Sequence, residues 1–207
     1  MTYSNSVVGF DTIARVVDTI ATQGYAIAAN FLDPATVAAL RANALRFERA
    51  SSLVPAAVGR GADRIERAAI RGDRIRWLEE ATDDSGERSL RDALEALRLA
   101  ANRELQLGLF AFEGLYAIYP AGAGYARHLD RFRDDNARVL SIVLYLNDRW
   151  SDEDGGMLRL HVTRDRSIDA IPQAGTLVAF LSDRFVHEVL PARRERFSIA
   201  GWFRRRV

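Results

Sequence analysis

The sequence predicts a mainly β protein, a jelly-roll sandwich or barrel supported by α-helices. Two observations lead there. After residue 112, short runs rich in β-branched and aromatic residues follow one another, separated by glycine- and proline-bearing turns. Apolar residues at helical spacing are confined to the N-terminal half. Helices set apart from a succession of strands suit a closed or two-layered sheet with helices against one side. With 207 residues and 48% hydrophobic content, the chain can bury one sizeable core. A single domain over residues 1–207 is expected, with residues 1–110 as helical support and 112–207 as the β core.

In chain order, residues 11–22 place Ile13, Val16, Val17 and Ile20 on one helical face, and Tyr25 to Ala29 reads as a short strand. Asp33 before Pro34 is a helix start, with an N-cap side chain and a proline in the first turn. Val37, Leu40, Ala44 and Leu45 continue that helix. Ser89 to Leu107 predicts another, carrying Leu90, Leu94, Leu97 and Leu105. Between them residues 51–69 show no clean period and contain two glycines, so a long mobile loop is expected. The strand runs are RVLSIVLYLN (138–147), GGMLRLHV (155–162), GTLVAFL (175–181) and FSIAGWF (197–203).

Composition removes several chemistries. The formal charge of +1 balances 29 basic against 28 acidic residues, so no excess of positive charge points to nucleic acid. Every basic residue is arginine, which excludes Schiff-base lysine chemistry and a P-loop lysine. Cysteine is absent, which excludes disulfides, thiol nucleophiles and iron–sulfur clusters. The N-terminus shows no basic run followed by an apolar core, and no stretch approaches the ~18 apolar residues of a membrane span. A cytoplasmic protein without membrane or nucleic-acid partners is expected.

The three histidines and the carboxylates are then the available metal ligands. His128-Leu129-Asp130 places an imidazole and a carboxylate on the same side of an extended chain. Alone, such a triplet is often two solvated polar residues. His187, far along the chain, supplies a second imidazole, and two histidines with one carboxylate form the facial set used by iron(II) oxygenases. Arg196 follows across the turn at residues 191–195, and antiparallel pairing there would return it beside His187. It then shares a face with Ser198, Ala200 and Trp202, while Phe197, Ile199 and Phe203 take the other. A guanidinium inside a barrel needs an anion, and a ligand carboxylate would serve. Tyr145 could add a hydroxyl, and Tyr119 and Tyr125 flank the entrance. His161 is expected to be exposed and uninvolved.

Together YPAGAGYARHLD, VLYLNDRW, DGGMLRL, VAFLSDRFVHEVLP and RFSIAGWF resemble the prolyl 4-hydroxylase family of iron(II), 2-oxoglutarate oxygenases. The nearest branch is that of bacterial relatives of the animal oxygen-sensing prolyl hydroxylases. IRGDRIRWLEE, from Ile70, resembles the end of the mobile substrate-covering loop in that branch, which places such a loop at residues 51–73. The resemblance implies a double-stranded β-helix, a cupin-like jelly roll, with iron on His128, Asp130 and His187. It implies 2-oxoglutarate on Arg196 and Tyr145, Leu158 lining that pocket, and Trp202 near the buried end of the barrel. Arg138 and Asp73 match positions that set the closed loop over a peptide and are expected to pair when that loop closes, with Tyr125 as a further substrate contact. Oxygen is the second co-substrate and ascorbate a candidate accessory. Ala200, where the animal enzymes carry threonine, is a departure.

The implied substrate is a prolyl residue in a protein, with elongation factor Tu as first candidate. Free proline or another small molecule is the alternative within the same chemistry. A non-catalytic 2-oxoglutarate-binding module is the alternative of another class, and the intact ligand set and arginine count against it. A nucleic-acid demethylase is disfavoured by the near-neutral charge.

Overall fold

The computed structural model of the protein describes residues 9–57, 67, 69–131 and 137–206. Helix α1 (Phe10–Gln23) buries Ile13, Val16, Val17 and Ile20, and ends where Gly24 takes a φ of 82°. Glycine occupies that left-handed cap without the steric penalty of a side chain. Helix α2 (Pro34–Arg49) starts as expected, with the Asp33 carboxylate accepting from the Thr36 amide at 2.9 Å. Helix α3 (Ser85–Leu105) begins before the expected Ser89, because Asp84 caps it by accepting from the Glu87 amide at 2.9 Å.

Eleven described strands follow or interleave: β1 (Tyr25–Ala28), β2 (Val54–Pro55), β3 (Arg74–Trp77), β4 (Ala111–Tyr119), β5 (Tyr125–His128), β6 (Arg138–Tyr145), β7 (Leu158–His161), β8 (Ser167–Ala170), β9 (Leu177–Leu181), β10 (Val186–Val189) and β11 (Arg196–Arg204). They form a seven-stranded sheet, β1-β9-β6-β11-β4-β3-β2, and a four-stranded sheet, β5-β10-β7-β8. The named strand pairings are antiparallel. Two facing antiparallel sheets with helices against one of them are the jelly-roll arrangement that the sequence predicts. No described helix is long and apolar enough to cross a membrane.

Alternation along the strands divides the core into two layers. In β11, Phe197, Ile199 and Phe203 join Leu40, Leu94 and Leu97 between the large sheet and the helices. Trp202 of the same strand joins Leu158, Leu160 and Val189 between the two sheets. The helices thus seal the outer face of the large sheet, and the inner face is left to build a site. Of the expected loop at 51–69, Val54 and Pro55 pair with β3. Residues 58–66 and 68 lie outside the described residues. Segment 70–72 is tied to β5 by the Gly72 amide on the Gly124 carbonyl (3.0 Å) and the Ala126 amide on the Ile70 carbonyl (2.8 Å).

Candidate active site

β5 and β10 are paired with His128 opposite His187, and Asp130 follows just past the end of β5. One ligand atom from each of the three residues lies within 4.8 Å of the others. Asp130 Oδ1 is 3.7 Å from His128 Nε2, and its Oδ2 is 3.6 Å from His187 Nε2. Metal bonds of about 2.1 Å would draw such cis ligands to roughly 3 Å. Each imidazole is held by its other nitrogen: His128 Nδ1 donates to the Ala126 carbonyl at 2.7 Å and His187 Nδ1 to the Phe185 carbonyl at 3.1 Å. These bonds set the tautomer and aim both Nε2 lone pairs into the site.

Asp130 is oriented from behind by the buried Ser141 hydroxyl, which donates to Oδ2 at 2.7 Å and contacts the Ser182 hydroxyl at 2.8 Å. Burial pushes the Asp130 carboxyl up, but the His187 and His128 imidazoles and Ser141 outweigh it and hold it below the usual value. Burial, reinforced by His187, pulls His128 down to about 4, so it stays neutral at physiological pH. Two imidazole nitrogens and a carboxylate converging on one point are the donor set that a divalent metal needs. The residues present therefore fit the iron of this fold.

Arg196 reaches the same pocket by another route than pairing suggested. β11 does not pair with β10: it lies in the large sheet between β4 and β6, and the turn at 191–195 carries the chain from one sheet to the other. Arg196 is 1% exposed. Its Nε donates to the Gly156 carbonyl at 2.9 Å and Nη1 to the Ser198 hydroxyl at 3.3 Å, while Nη2 has no hydrogen-bond partner among the described residues. The Tyr119 and Tyr145 rings flank it at 5.2 and 5.0 Å. The buried Tyr145 hydroxyl is also without a hydrogen-bond partner among the described residues, and burial raises it above the usual phenol value although Arg196 pulls the other way. Two buried donors left open side by side fit the far carboxylate of a keto dicarboxylic acid. Leu158, Tyr119, Tyr125, Ser198, Ala200 and Trp202 line the joint pocket of about 300 Å³ with the His/Asp/His group and Arg196.

Other expectations change. Trp202 stands toward the opposite end of β11 from Arg196, buried in the same pocket, under the Arg138 guanidinium at 3.5 Å and on the Asp130 side of it. Asp73 and Arg138 do not pair. The buried Asp73 carboxylate takes Arg71 through two bonds of 2.8 and 3.0 Å, and Arg138 takes Glu113 at 3.0 Å. The Arg71 guanidinium in turn lies 4.9 Å from the Tyr125 ring, and Tyr125 stacks on His128 at 3.6 Å. Tyr125 is thus a brace for His128. His161 is half-buried rather than exposed, because Glu188 accepts from it at 3.0 Å, and it lies apart from the candidate metal ligands. Sequence reasoning missed Ser141, Ser182, Gly156 and Arg71. Serines inside the apolar runs VLSIVLYL and VAFLSD were the available signal for the first two.

Residues 114–204 match the 2OG-Fe(II) oxygenase superfamily. A prolyl-4-hydroxylase from Pseudomonas putida superposes with a TM-score of 0.85 at 46% identity, covering 94% of this chain and 100% of that one. A prolyl hydroxylase from Trichoplax adhaerens, solved in complex with a hypoxia-inducible factor peptide fragment, has a TM-score of 0.82 at 27% identity, covering 93% and 88%. A Caenorhabditis elegans hypoxia-inducible factor prolyl hydroxylase is 41% identical over 93 residues, 43% of this chain but only 13% of that protein's length. The fold, the convergent His/Asp/His group and these matches agree: the chain belongs to the 2-oxoglutarate, iron(II) oxygenase superfamily, within its prolyl 4-hydroxylase family.

Proposed function

We propose that this chain hydroxylates a prolyl residue of a protein to 4-hydroxyproline, using iron(II), 2-oxoglutarate and oxygen. In this reading His128, Asp130 and His187 hold the metal, and Arg196 with Tyr145 holds the far carboxylate of 2-oxoglutarate. The observation that carries it is the buried, open donor Arg196 Nη2 in one pocket with three convergent ligand atoms, with the buried and equally open Tyr145 hydroxyl behind it on a ring 5.0 Å from the guanidinium. Iron(II) with 2-oxoglutarate and oxygen supplies an oxidant that inserts one oxygen into a C–H bond, the keto acid leaving as succinate and carbon dioxide. The protein's share is orientation. Ser141 holds the Asp130 carboxylate, and the backbone carbonyls of Ala126 and Phe185 hold the imidazoles.

A peptide substrate is supported by the rim. Trp77 and Leu129 line the pocket while remaining 45% and 44% exposed, so they offer apolar surface outside the cavity that a free amino acid would not cover. Arg138 stands at this mouth. Asp73 and Tyr125 support the site from behind, through Arg71 and His128.

Elongation factor Tu remains the first candidate substrate, by the resemblance to the bacterial branch. The experiment is to incubate the enzyme, iron(II) and 2-oxoglutarate with that factor and weigh its proline-containing peptides. A one-oxygen gain lost in the His187→Ala variant is expected. Turnover on free proline with no gain on the protein would overturn the protein-substrate reading.

A further inference from the structure

The direction of Arg196 is set by a turn that is itself clamped from outside the pocket. Arg196 Nε donates to the Gly156 carbonyl and Nη1 to Ser198 two residues along its own strand, so the Gly156 carbonyl is the contact from another segment that sets where the free edge of the guanidinium points. Gly155 and Gly156 take φ values of 69° and 73° and lie outside the named strands, with Gly155 in an isolated bridge to Ala192. The turn is strapped to the 191–193 segment. The Gly156 amide donates to the Pro191 carbonyl at 3.0 Å, and the Arg193 amide to the Asp154 carbonyl at 2.8 Å.

One exposed guanidinium completes the strap. Arg194 donates to both Asp154 oxygens, at 3.0 and 3.1 Å, and to the Arg149 and Asp148 carbonyls, at 2.7 and 3.2 Å. It also covers the Trp150 ring at 4.2 Å, and Trp150 Nε1 donates to the Gly155 carbonyl at 2.9 Å. No slack remains at the centre. A Cβ added to Gly156 would meet Ala192 Cβ at 2.9 Å, Arg196 Cδ at 3.3 Å and Trp150 Cζ2 at 3.3 Å. A shift of the turn must therefore move Arg196. Ion pairs this exposed contribute little to stability, so convergence of four hydrogen bonds on one surface arginine calls for another account.

We infer that Arg194, Asp154 and Trp150 are positioning residues that aim Arg196, and thereby set the preference for a keto acid bearing a second carboxylate. The inference rests on the reading of Arg196 as the partner of that carboxylate. Binding chemistry favours it because a bidentate arginine–carboxylate pair is sensitive to direction as well as distance.

The test is calorimetric titration of the manganese(II)-loaded protein, without oxygen, with 2-oxoglutarate and with 2-oxobutyrate, which lacks the far carboxylate. Arg194→Met is expected to cut the preference for 2-oxoglutarate at least tenfold while leaving 2-oxobutyrate and manganese binding unchanged. Trp150→Phe, which keeps the ring and loses the donor, is expected to cut it about threefold. In an Arg196→Met background, Arg194→Met should have no further effect. Equal weakening of both keto acids, an unchanged preference in Arg194→Met, or full additivity with Arg196→Met would overturn the inference. If Arg194→Met fails to fold, Trp150→Phe decides alone. An unchanged preference in Arg196→Met itself would overturn the underlying reading, and this inference with it.

Discussion

Replacing Arg196 by methionine separates a binding arginine from a structural one. In the wild-type chain the guanidinium is buried, pairs with no carboxylate among the described residues, and leaves Nη2 open. A buried cation without a counter-charge costs several kcal/mol. Against that stand two hydrogen bonds, to Gly156 and Ser198, and two flanking tyrosine rings. Hydrogen bonds to a charged group contribute about 1.5–3 kcal/mol each, so cost and gain nearly cancel. Methionine fills much of the space without the charge. The ligand-free variant should therefore melt no more than about 3 °C below the wild type, where 1 kcal/mol corresponds to roughly 2–4 °C at this chain length.

Binding of 2-oxoglutarate should respond differently. Loss of the charge-assisted bonding from Nη2 while Tyr145 remains amounts to about 1.5–3 kcal/mol, of order tenfold to a hundredfold in Kd. Calorimetry on the manganese(II)-loaded protein reads the affinity, and scanning calorimetry with and without 2-oxoglutarate reads the melting temperature. Excess ligand should raise the wild-type melting temperature and leave that of the variant nearly unmoved. A Kd changed by less than threefold, or a ligand-free chain that melts more than 8 °C lower, would show that Arg196 serves the fold and would refute the reasoning.

Three further outcomes follow from the metal side. The His128→Ala, His187→Ala double variant should lose manganese(II) binding by calorimetry, and tight binding retained would dissolve the site. Ser141→Ala should weaken manganese(II) affinity about 10- to 100-fold, as loss of a bond that orients a ligand does, with Ser141→Thr recovering most of it. Acid should destabilise the metal-free chain. Unfolded, His128 takes its proton near 6.5, whereas folded it resists until about 4, so the unfolded state binds more protons between these values. Stability is lost as pH falls from 6.5 toward 4, at up to about 1.4 kcal/mol per pH unit for one group. Melting curves across that window should show the fall, and His128→Asn should flatten it.

The fold class was legible in the sequence, and so were the three candidate metal ligands and the arginine that the structure brings into one pocket. Alternation in β11 assigned Arg196, Ser198, Ala200 and Trp202 to one face, and two-residue periodicity is a local property of an extended chain. Caps such as Asp33 were legible for the same reason: donor and acceptor are three residues apart. Tertiary structure alone decided which strands neighbour which, so the hairpin expected between His187 and Arg196 became a crossing between sheets. It also decided the partners of charged residues. An arginine-rich chain offers each carboxylate many candidates, and long side chains pair by three-dimensional proximity, so Asp73 went to Arg71 and Arg138 to Glu113. The supporting groups, Ser141 behind Asp130 and the Gly156 carbonyl beneath Arg196, join residues 11 and 40 positions apart, a separation that no local period encodes.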